Sequence, residues 1–452
     1  MQKLSGIHFY INIENFNSII LGEEKRTREV THALHALDTF FASIESFGKR
    51  LSENLVVEKI TGSRLHLYVV DSLVPAYQVV ATVSAYAYKL SKFINTDIHK
   101  YDSLQAFIIN IGMAFGQFYD FEFTDEKGYT ELTTIGYAAN FAAKLQSLAG
   151  QNKIGISEDI YCALPEDEKR LYKRIDEPSI KKYNQDRYYS GLLVSLASRK
   201  TVSDDDLLAA KNYANKVKLS KIDFSEVRTR LNFANLSKTQ CKKLEGIPVF
   251  ADVRGFTSKF EEDDSNLEEM AQKTLSILNS MYSVSSICGG VHVQFQGDRE
   301  CSLYHNTPSI EVDGKTVPEQ MCFKNAVLAA MRMIDAVKPY SVHIGVGEDY
   351  GILFATKLGA RGEKDNIILG ETVITADAME DKHAGEDEIA ITAEVYKGLK
   401  DEDSSLADKF KWTGSCYIAS IGYHEYQNLV AFQQQSANTT QNKYNGAWGV
   451  LE

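Results

Sequence analysis

The stretch IPVFADVRGFTSKF (Ile247–Phe260) decides the reading: an apolar run reaches Asp252 and a glycine turn follows at once. Such a run, bounded by a turn, reads as a buried strand. A matching stretch, IHFYINIENFNSII (Ile7–Ile20), lies near the start of the chain. Four more pairs follow in the same order. KITGSRLHLY (Lys59–Tyr68) matches QFQGDRECSLY (Gln294–Tyr304), and NIGMAFGQFYDF (Asn110–Phe121) matches HIGVGEDYGILF (His343–Phe354). TTIGYAANFAAKL (Thr133–Leu145) matches IILGETVITADAM (Ile367–Met379), and GISEDIY (Gly155–Tyr161) matches AITAEVY (Ala390–Tyr396). Pairing Asn12 with Asp252, Ser63 with Asp298, Gly112 with Gly345, Gly136 with Gly370 and Ser157 with Thr392 gives offsets of 240, 235, 233, 234 and 235. Near-constant offsets over five blocks mark a duplicated domain, because the period is far too long for a solenoid.

Each copy runs from a strand into a long amphipathic helix such as REVTHALHALDTFFASIESF, then a hairpin (NLVVEKITGSRLHLYVV), a second helix and another strand (AFIINIGMAFG). That order predicts an α+β sandwich in which helices cover one face of a mainly antiparallel sheet. The expected organisation is one domain over 1–200, a charged helical linker over 201–244, a second domain over 245–425 and a polar tail over 426–452.

With 452 residues, 44% of them apolar, the chain can bury a sizeable core and form two or three domains. A net charge of -12 argues against a broad electrostatic footprint for nucleic acid or an anionic membrane, and a small anionic substrate would need a local basic pocket. Six cysteines, scattered without a C-x-x-C pair, read as reduced packing thiols. No signal peptide and no apolar run of about 20 residues is present, so a cytoplasmic location is expected.

Asp252 in FADVRGFTSKF and Asp298 in QGDRE resemble the two metal-binding aspartates of the class III adenylate and guanylate cyclases, and the resemblance extends over nearly the whole chain. It implies two ferredoxin-like cyclase catalytic domains in tandem, paired head to tail about a pseudo-twofold axis. In that family the site lies at a dimer interface, one partner giving the metals and the other reading the base. Asp252 and Asp298 would hold two divalent cations, Mg²⁺ or Mn²⁺, and backbone amides of Gly255, Phe256 and Thr257 would face the β- and γ-phosphates. The first copy has lost both carboxylates, to Asn12 and Ser63. It keeps the complementary set: Lys59 and Thr133 at the base-reading positions, Asn140 at the ribose-orienting position, and Lys144 where a transition-state arginine usually stands. Lys181, in SIKKYNQDRYY, is the candidate for the terminal phosphate. The second copy has Gln294, Ile367, Ile374 and Ala378 at the first four of these positions, and isoleucine cannot hydrogen-bond a base or ribose. The losses are therefore complementary, which predicts one complete site and one that lacks both sets.

Taken singly, these residues have ordinary readings: a turn aspartate, a solvated strand lysine, a packed threonine, a polar helix stripe. The five-block frame gives them joint meaning. His343 reads as a packed strand histidine. Lys144 keeps the cationic charge but not the planar fork of arginine. Lys59 donates to a ring nitrogen and Thr133 accepts from an exocyclic amine, a pattern that fits adenine and cytosine better than guanine or uracil.

The expected activity is conversion of a nucleoside triphosphate, CTP or ATP, into its 3′,5′-cyclic nucleotide. The free-standing architecture resembles the Pycsar-type pyrimidine cyclases of antiphage defence, which favours a cytidylate cyclase signalling to a cyclic-nucleotide-responsive effector. A monomer suffices, since both halves of the dimer lie in one chain. The alternatives are an adenylate cyclase and a nucleotide-binding regulator without turnover. The absence of a GG[DE]EF-type turn argues against a diguanylate cyclase or polymerase.

Overall fold

The computed structural model describes residues 2–98, 106–124, 130–183, 185–217, 230–237, 240–255, 267–307, 310–312, 315–317, 321–360, 365–429 and 431. The first half begins with β1 (Gln2–Ile13), whose Ile7, Phe9, Ile11 and Ile13 alternate into the core as one face of a strand must. Helix α1 (Phe16–Thr27) precedes α2 (Thr31–Leu51), which buries Leu34, Leu37, Phe41 and Ile44 at helical spacing against that face. The hairpin β2 (Leu55–Thr61) and β3 (Arg64–Val69) leads into α3 (Leu73–Phe93), beside α2. Strand β4 (Ile109–Thr124) folds back on β5 (Thr130–Ile135), and α4 (Tyr137–Ala149), β6 (Lys153–Ile156), β7 (Tyr172–Asp176) and β8 (Arg187–Leu192) complete the half.

The connecting helix α5 (Asp204–Lys216) starts in a Ser203–Asp206 capping box and packs on α2, where the Tyr213 hydroxyl donates to Asp38 at 2.8 Å. The second half then repeats the pattern. It comprises β9 (Cys241–Val253), α6 (Leu267–Ile287), β10 (Val291–Phe295), β11 (Arg299–Tyr304), α7 (Cys322–Val337), β12 (Ile344–Glu348) and β13 (Gly351–Leu358). It continues with β14 (Asp365–Leu369), α8 (Glu371–His383), β15 (Glu388–Ile391), β16 (Lys411–Trp412) and β17 (Tyr417–Ala419).

The sheet orders are β2-β3-β1-β4-β6-β8-β7 and β10-β11-β9-β12-β15-β17-β16, and β5 on β4 corresponds to β14 on β13. The order is the same in both. Even the irregularities repeat: the register of β2 on β3 shifts between Val57 and Lys59, and that of β10 on β11 between His292 and Gln294.

Two sequence expectations need correction. Gly112 lies opposite Tyr10, while opposite Phe250 lies Gly347, so the equivalent of Gly112 is Gly347 and not Gly345. The true offset there is 235, and the I-G match had slipped by two residues, a shift that preserves strand alternation and so escapes a pattern comparison. Helices also cover both sheet faces, not one. Gly112, Ala114 and Gly116 form a flat strip on the face away from α2 and α3, and α4 lies on it.

The halves exchange arms. Tyr119, Phe121, Phe123 and Ile135 of the β4–β5 arm join the second half's core, while Phe354, Leu358, Ile367 and Leu369 of the β13–β14 arm join the first half's. Each buried aromatic contributes roughly 1.5–3 kcal/mol to holding the halves together. Among the described residues no helix is long and apolar enough to cross a membrane.

A Cβ at Gly112 would lie 2.1 Å from the Gln146 amide nitrogen, and one at Gly347 would lie 2.2 Å from that of Glu380. Gly112→Ala and Gly347→Ala should each destabilise the protein by about 3 kcal/mol in urea titrations. A loss below about 0.5 kcal/mol at either position would mean that the helix is not seated against its strand in this way.

Candidate active site

The shift between Val57 and Lys59 turns both Glu58 and Lys59 toward β5. Lys59 is 2% exposed and Thr133 is 0% exposed. The Lys59 amine donates to Thr133 Oγ1 at 2.9 Å, to Glu131 Oε1 at 2.5 Å and to the Phe295 carbonyl at 3.0 Å. Its three donors are thus all engaged, one of them across the boundary between halves. Glu131 completes the crossing by accepting from the Phe295 amide at 2.8 Å.

The same contact recurs with the halves interchanged. Asp365 accepts from the Ile60 amide at 2.7 Å, and strand register makes Asp365 the counterpart of Glu131 and Ile60 that of Phe295. These two clasps fix the pseudo-twofold relation of the halves. Each grips the strand end just before a hairpin tip: Gln296-Gly297-Asp298 on one side, Thr61-Gly62-Ser63 on the other. Asp298 is three residues beyond Phe295, within about 10 Å of it along the chain. Lys59 and Asp298 therefore belong to one locality.

Asp252 pairs with Arg299 across β9 and β11, beside Asp298. Burial, then the Asp252 charge, pushes the Asp298 carboxyl well above its ordinary range. Burial also raises Asp252, although Arg299 and Arg254 pull it back. Arg254 Nη1 stands 3.4 Å from Asp252, and Glu380 bridges the two guanidinium groups at 2.5 Å each. Two carboxylates at neighbouring half-buried positions suit a divalent cation, which would relieve both.

The other half shows what happens without the charges. Ser63 Oγ donates to Asn12 Oδ1 at 2.7 Å, and Asn12 Nδ2 donates to Asn110 at 3.0 Å, which also accepts from Gln146 at 2.8 Å. The two positions are adjacent, and a closed neutral network replaces the acidic pair. Between this network and Gln294, Ile374 and Gly370 lies a cleft of about 290 Å³. The second interface therefore keeps a cavity although it lacks both carboxylates.

Asn140 and Lys144 sit half-buried, one turn apart on α4. Hydrogen bonds from Ser179, with the Lys144 charge, hold the Glu177 carboxyl low, which places Lys144 beside the 3₁₀ turn Pro178–Tyr183 that carries Lys181. Lys181 is exposed. Gly255 is exposed at φ +65°, a conformation that favours glycine. Phe256 and Thr257 lie outside the described residues. His343 is not a packed strand residue: it precedes β12, is exposed and pairs with Asp387 at 2.6 Å.

Sequence reasoning missed Glu131. The signal was an acidic residue at the alternate position to Thr133 in TELTTI, on the inward face of a strand.

A solved structure, a class III adenylyl cyclase-like ATP-binding protein from Pseudomonas aeruginosa, superposes with a TM-score of 0.68. It is 17% identical and the match covers 95% of this chain and 90% of that one. The fold is class III adenylyl cyclase-like. A uridylate cyclase of Pseudomonas aeruginosa is 22% identical over 210 residues. Those residues are 44% of this chain, which spans only 40% of the length of that curated relative. No family model matches the sequence.

His292 adds a further link between the halves. Its ring nitrogens lie 3.2 Å from Glu131 and 3.0 Å from Glu300. Burial would lower its pKa, but the two carboxylates more than reverse this and raise it to about 10. A raised folded-state value gives stability fully present below the ordinary 6.5 and lost as pH climbs toward 10. The melting temperature should therefore fall across that window, and His292→Gln should flatten the fall. Parallel profiles for the two proteins would show that no such cation is present.

Proposed function

We propose that the chain is a nucleotide cyclase that converts a pyrimidine nucleoside triphosphate into its 3′,5′-cyclic monophosphate and pyrophosphate at one site between the halves. The observation that carries this reading is the hydrogen bond from Lys59 to the Phe295 carbonyl, which ties the base-reading positions of one half to the Asp298 tip of the other. The half over 1–200 supplies base and transition-state contacts, and the half over 245–425 supplies the metal ligands.

The 3′ hydroxyl gives up its proton to solvent as its oxygen attacks the α-phosphorus, the bond to the bridging oxygen breaks, and pyrophosphate leaves. Mg²⁺ or Mn²⁺ held by Asp252 and Asp298 would acidify the 3′ hydroxyl and neutralise the leaving group. Asn140 orients the ribose. Lys144 offsets charge on the α-phosphate, Lys181 meets the terminal phosphate, and the loop Gly255, Phe256 and Thr257 turns amides toward the β- and γ-phosphates.

Glu131 changes the base argument. Once Lys59 exchanges one of its three partners for the base, a donor flanked by a carboxylate acceptor and a hydroxyl matches N3 and N4 of cytosine, and equally O4 and N3–H of uracil. UTP therefore joins CTP, in keeping with the name of the uridylate cyclase relative. The near-complete burial of Lys59 and Thr133 favours a small base over adenine. The product would act on a cyclic-nucleotide-responsive effector in cytoplasmic antiphage signalling, with the monomer as the working unit. The second reading, binding without turnover, is favoured by Arg254, which competes with a cation for Asp252.

Incubation with each of the four NTPs and Mn²⁺ decides between them. Cyclic product from CTP or UTP should exceed that from ATP or GTP at least tenfold, and no product from any NTP would leave the regulator reading. Asp252→Ala should lower turnover by at least 10³-fold, which is about 4 kcal/mol of barrier. Ser63→Asp at the opposite interface should change it less than threefold. Lys144→Arg should preserve or raise activity, and strong activation by Ser63→Asp would mean that the interfaces are assigned the wrong way round.

A further inference from the structure

Behind Lys59 lies a buried polar chain that the proposed reaction does not use. Glu58 accepts from the Thr134 amide at 3.1 Å and from the Thr134 hydroxyl, and its other partner is His66 Nδ1 at 2.7 Å. The His66 Nε2 faces His8 Nδ1 at 2.9 Å. Tyr10 stacks flat on His66 with ring centres 3.9 Å apart and planes inclined by 11°. All three members of the chain are buried, and His8 Nε2 has no hydrogen-bond partner among the described residues.

A buried acid with two imidazoles is costly compared with apolar packing of the same volume. The second half shows that the fold does not need it. Strand register assigns Pro248 to the place of His8, Phe250 to Tyr10, Val293 to Glu58, Cys301 to His66 and Ile368 to Thr134. All five are apolar or weakly polar, and four of them belong to one hydrophobic cluster. The polar chain thus exists only in the half that keeps Lys59 and Thr133.

Its location is specific as well. Phe250, Cys301 and Ile368 line the cleft at the opposite interface. By the pseudo-twofold relation, Tyr10, His66 and Thr134 hold the same positions beside Lys59. Glu58 grips Thr134 while its neighbour Lys59 grips Thr133, so two consecutive side chains of β2 hold two consecutive residues of β5.

Resting on the cyclase reading, we infer that the Glu58–His66–His8 chain, with Tyr10 stacked on it, positions the base-reading edge and sets its selectivity. Glu58 acts through Thr134, and His66 and His8 act through Glu58. They are positioning residues, and the ligand they tune is the base of the nucleoside triphosphate.

The test uses the whole chain and the α,β-methylene analogues of CTP, UTP and ATP, which cannot release pyrophosphate, titrated calorimetrically with Mn²⁺. The triple variant Glu58→Val, His66→Cys, His8→Val copies the apolar character of the second half and should melt at or above the wild-type temperature. Its affinity for the preferred pyrimidine analogue should fall about tenfold, and its preference over the ATP analogue should shrink below threefold. With natural substrate the loss should fall on KM more than on kcat. Glu58→Gln, nearly isosteric, should show the same trend at about threefold and keeps the test open if the triple variant does not fold. Unchanged affinity and selectivity in a folded variant would overturn the proposal while leaving the cyclase reading intact. So would stoichiometric Zn²⁺ binding that the triple variant loses without a change in nucleotide selectivity. A wild-type protein that binds none of the analogues would overturn both.

Discussion

The clasp of Lys59 and Glu131 on Phe295 is the contact on which the arrangement depends. Backbone amides and carbonyls buried at a boundary must find partners, and here the partner of each strand end lies in the other half. The mate of this clasp, Asp365 on Ile60, makes the constraint pseudo-symmetric. Together they bring each hairpin tip to the other half's β5-type strand, so the tip that carries Asp298 lies by Lys59 and Thr133 of the other half.

Within that frame the two interfaces differ in charge. One holds Asp252 and Asp298, both raised by burial and Asp298 also by the Asp252 charge, with Arg254, Arg299 and Glu380 around them. The other holds the neutral Ser63–Asn12–Asn110–Gln146 network and keeps a cleft. Buried charge is retained only where something offsets its desolvation, and the Glu58–His66–His8 chain follows the same division.

Much of this was legible in the residues. Alternation in GIHFYINI and GIPVFADV gave the central strands, and spacing in THALHALDTFFASI gave α2. Other features were not. The two-residue slip at Gly345 kept every side chain on its correct face, so only the pairing of Tyr10 with Gly112 and of Phe250 with Gly347 exposed it. The seat of α4 on the second face depends on small residues at Gly112, Ala114 and Gly116, and their small size alone does not say what lies above them. His343 looked like a strand residue, but its pairing with Asp387 in the approach to β12 is a nonlocal fact.

The duplication and the complementary loss of Asp and of Lys, Thr and Asn between copies are written in the chain, because residue identity at equivalent positions is a linear property. That Lys59 spends all three donors, that Glu131 is the third member of its group, and that Glu58 and the two histidines form one chain behind it emerge only on folding. Those partners are 72 residues apart for Lys59 and Glu131 and 236 for Lys59 and Phe295. Hydrogen bonds over such separations follow from strand pairing, a register shift and the docking of two halves, none of which local periodicity encodes.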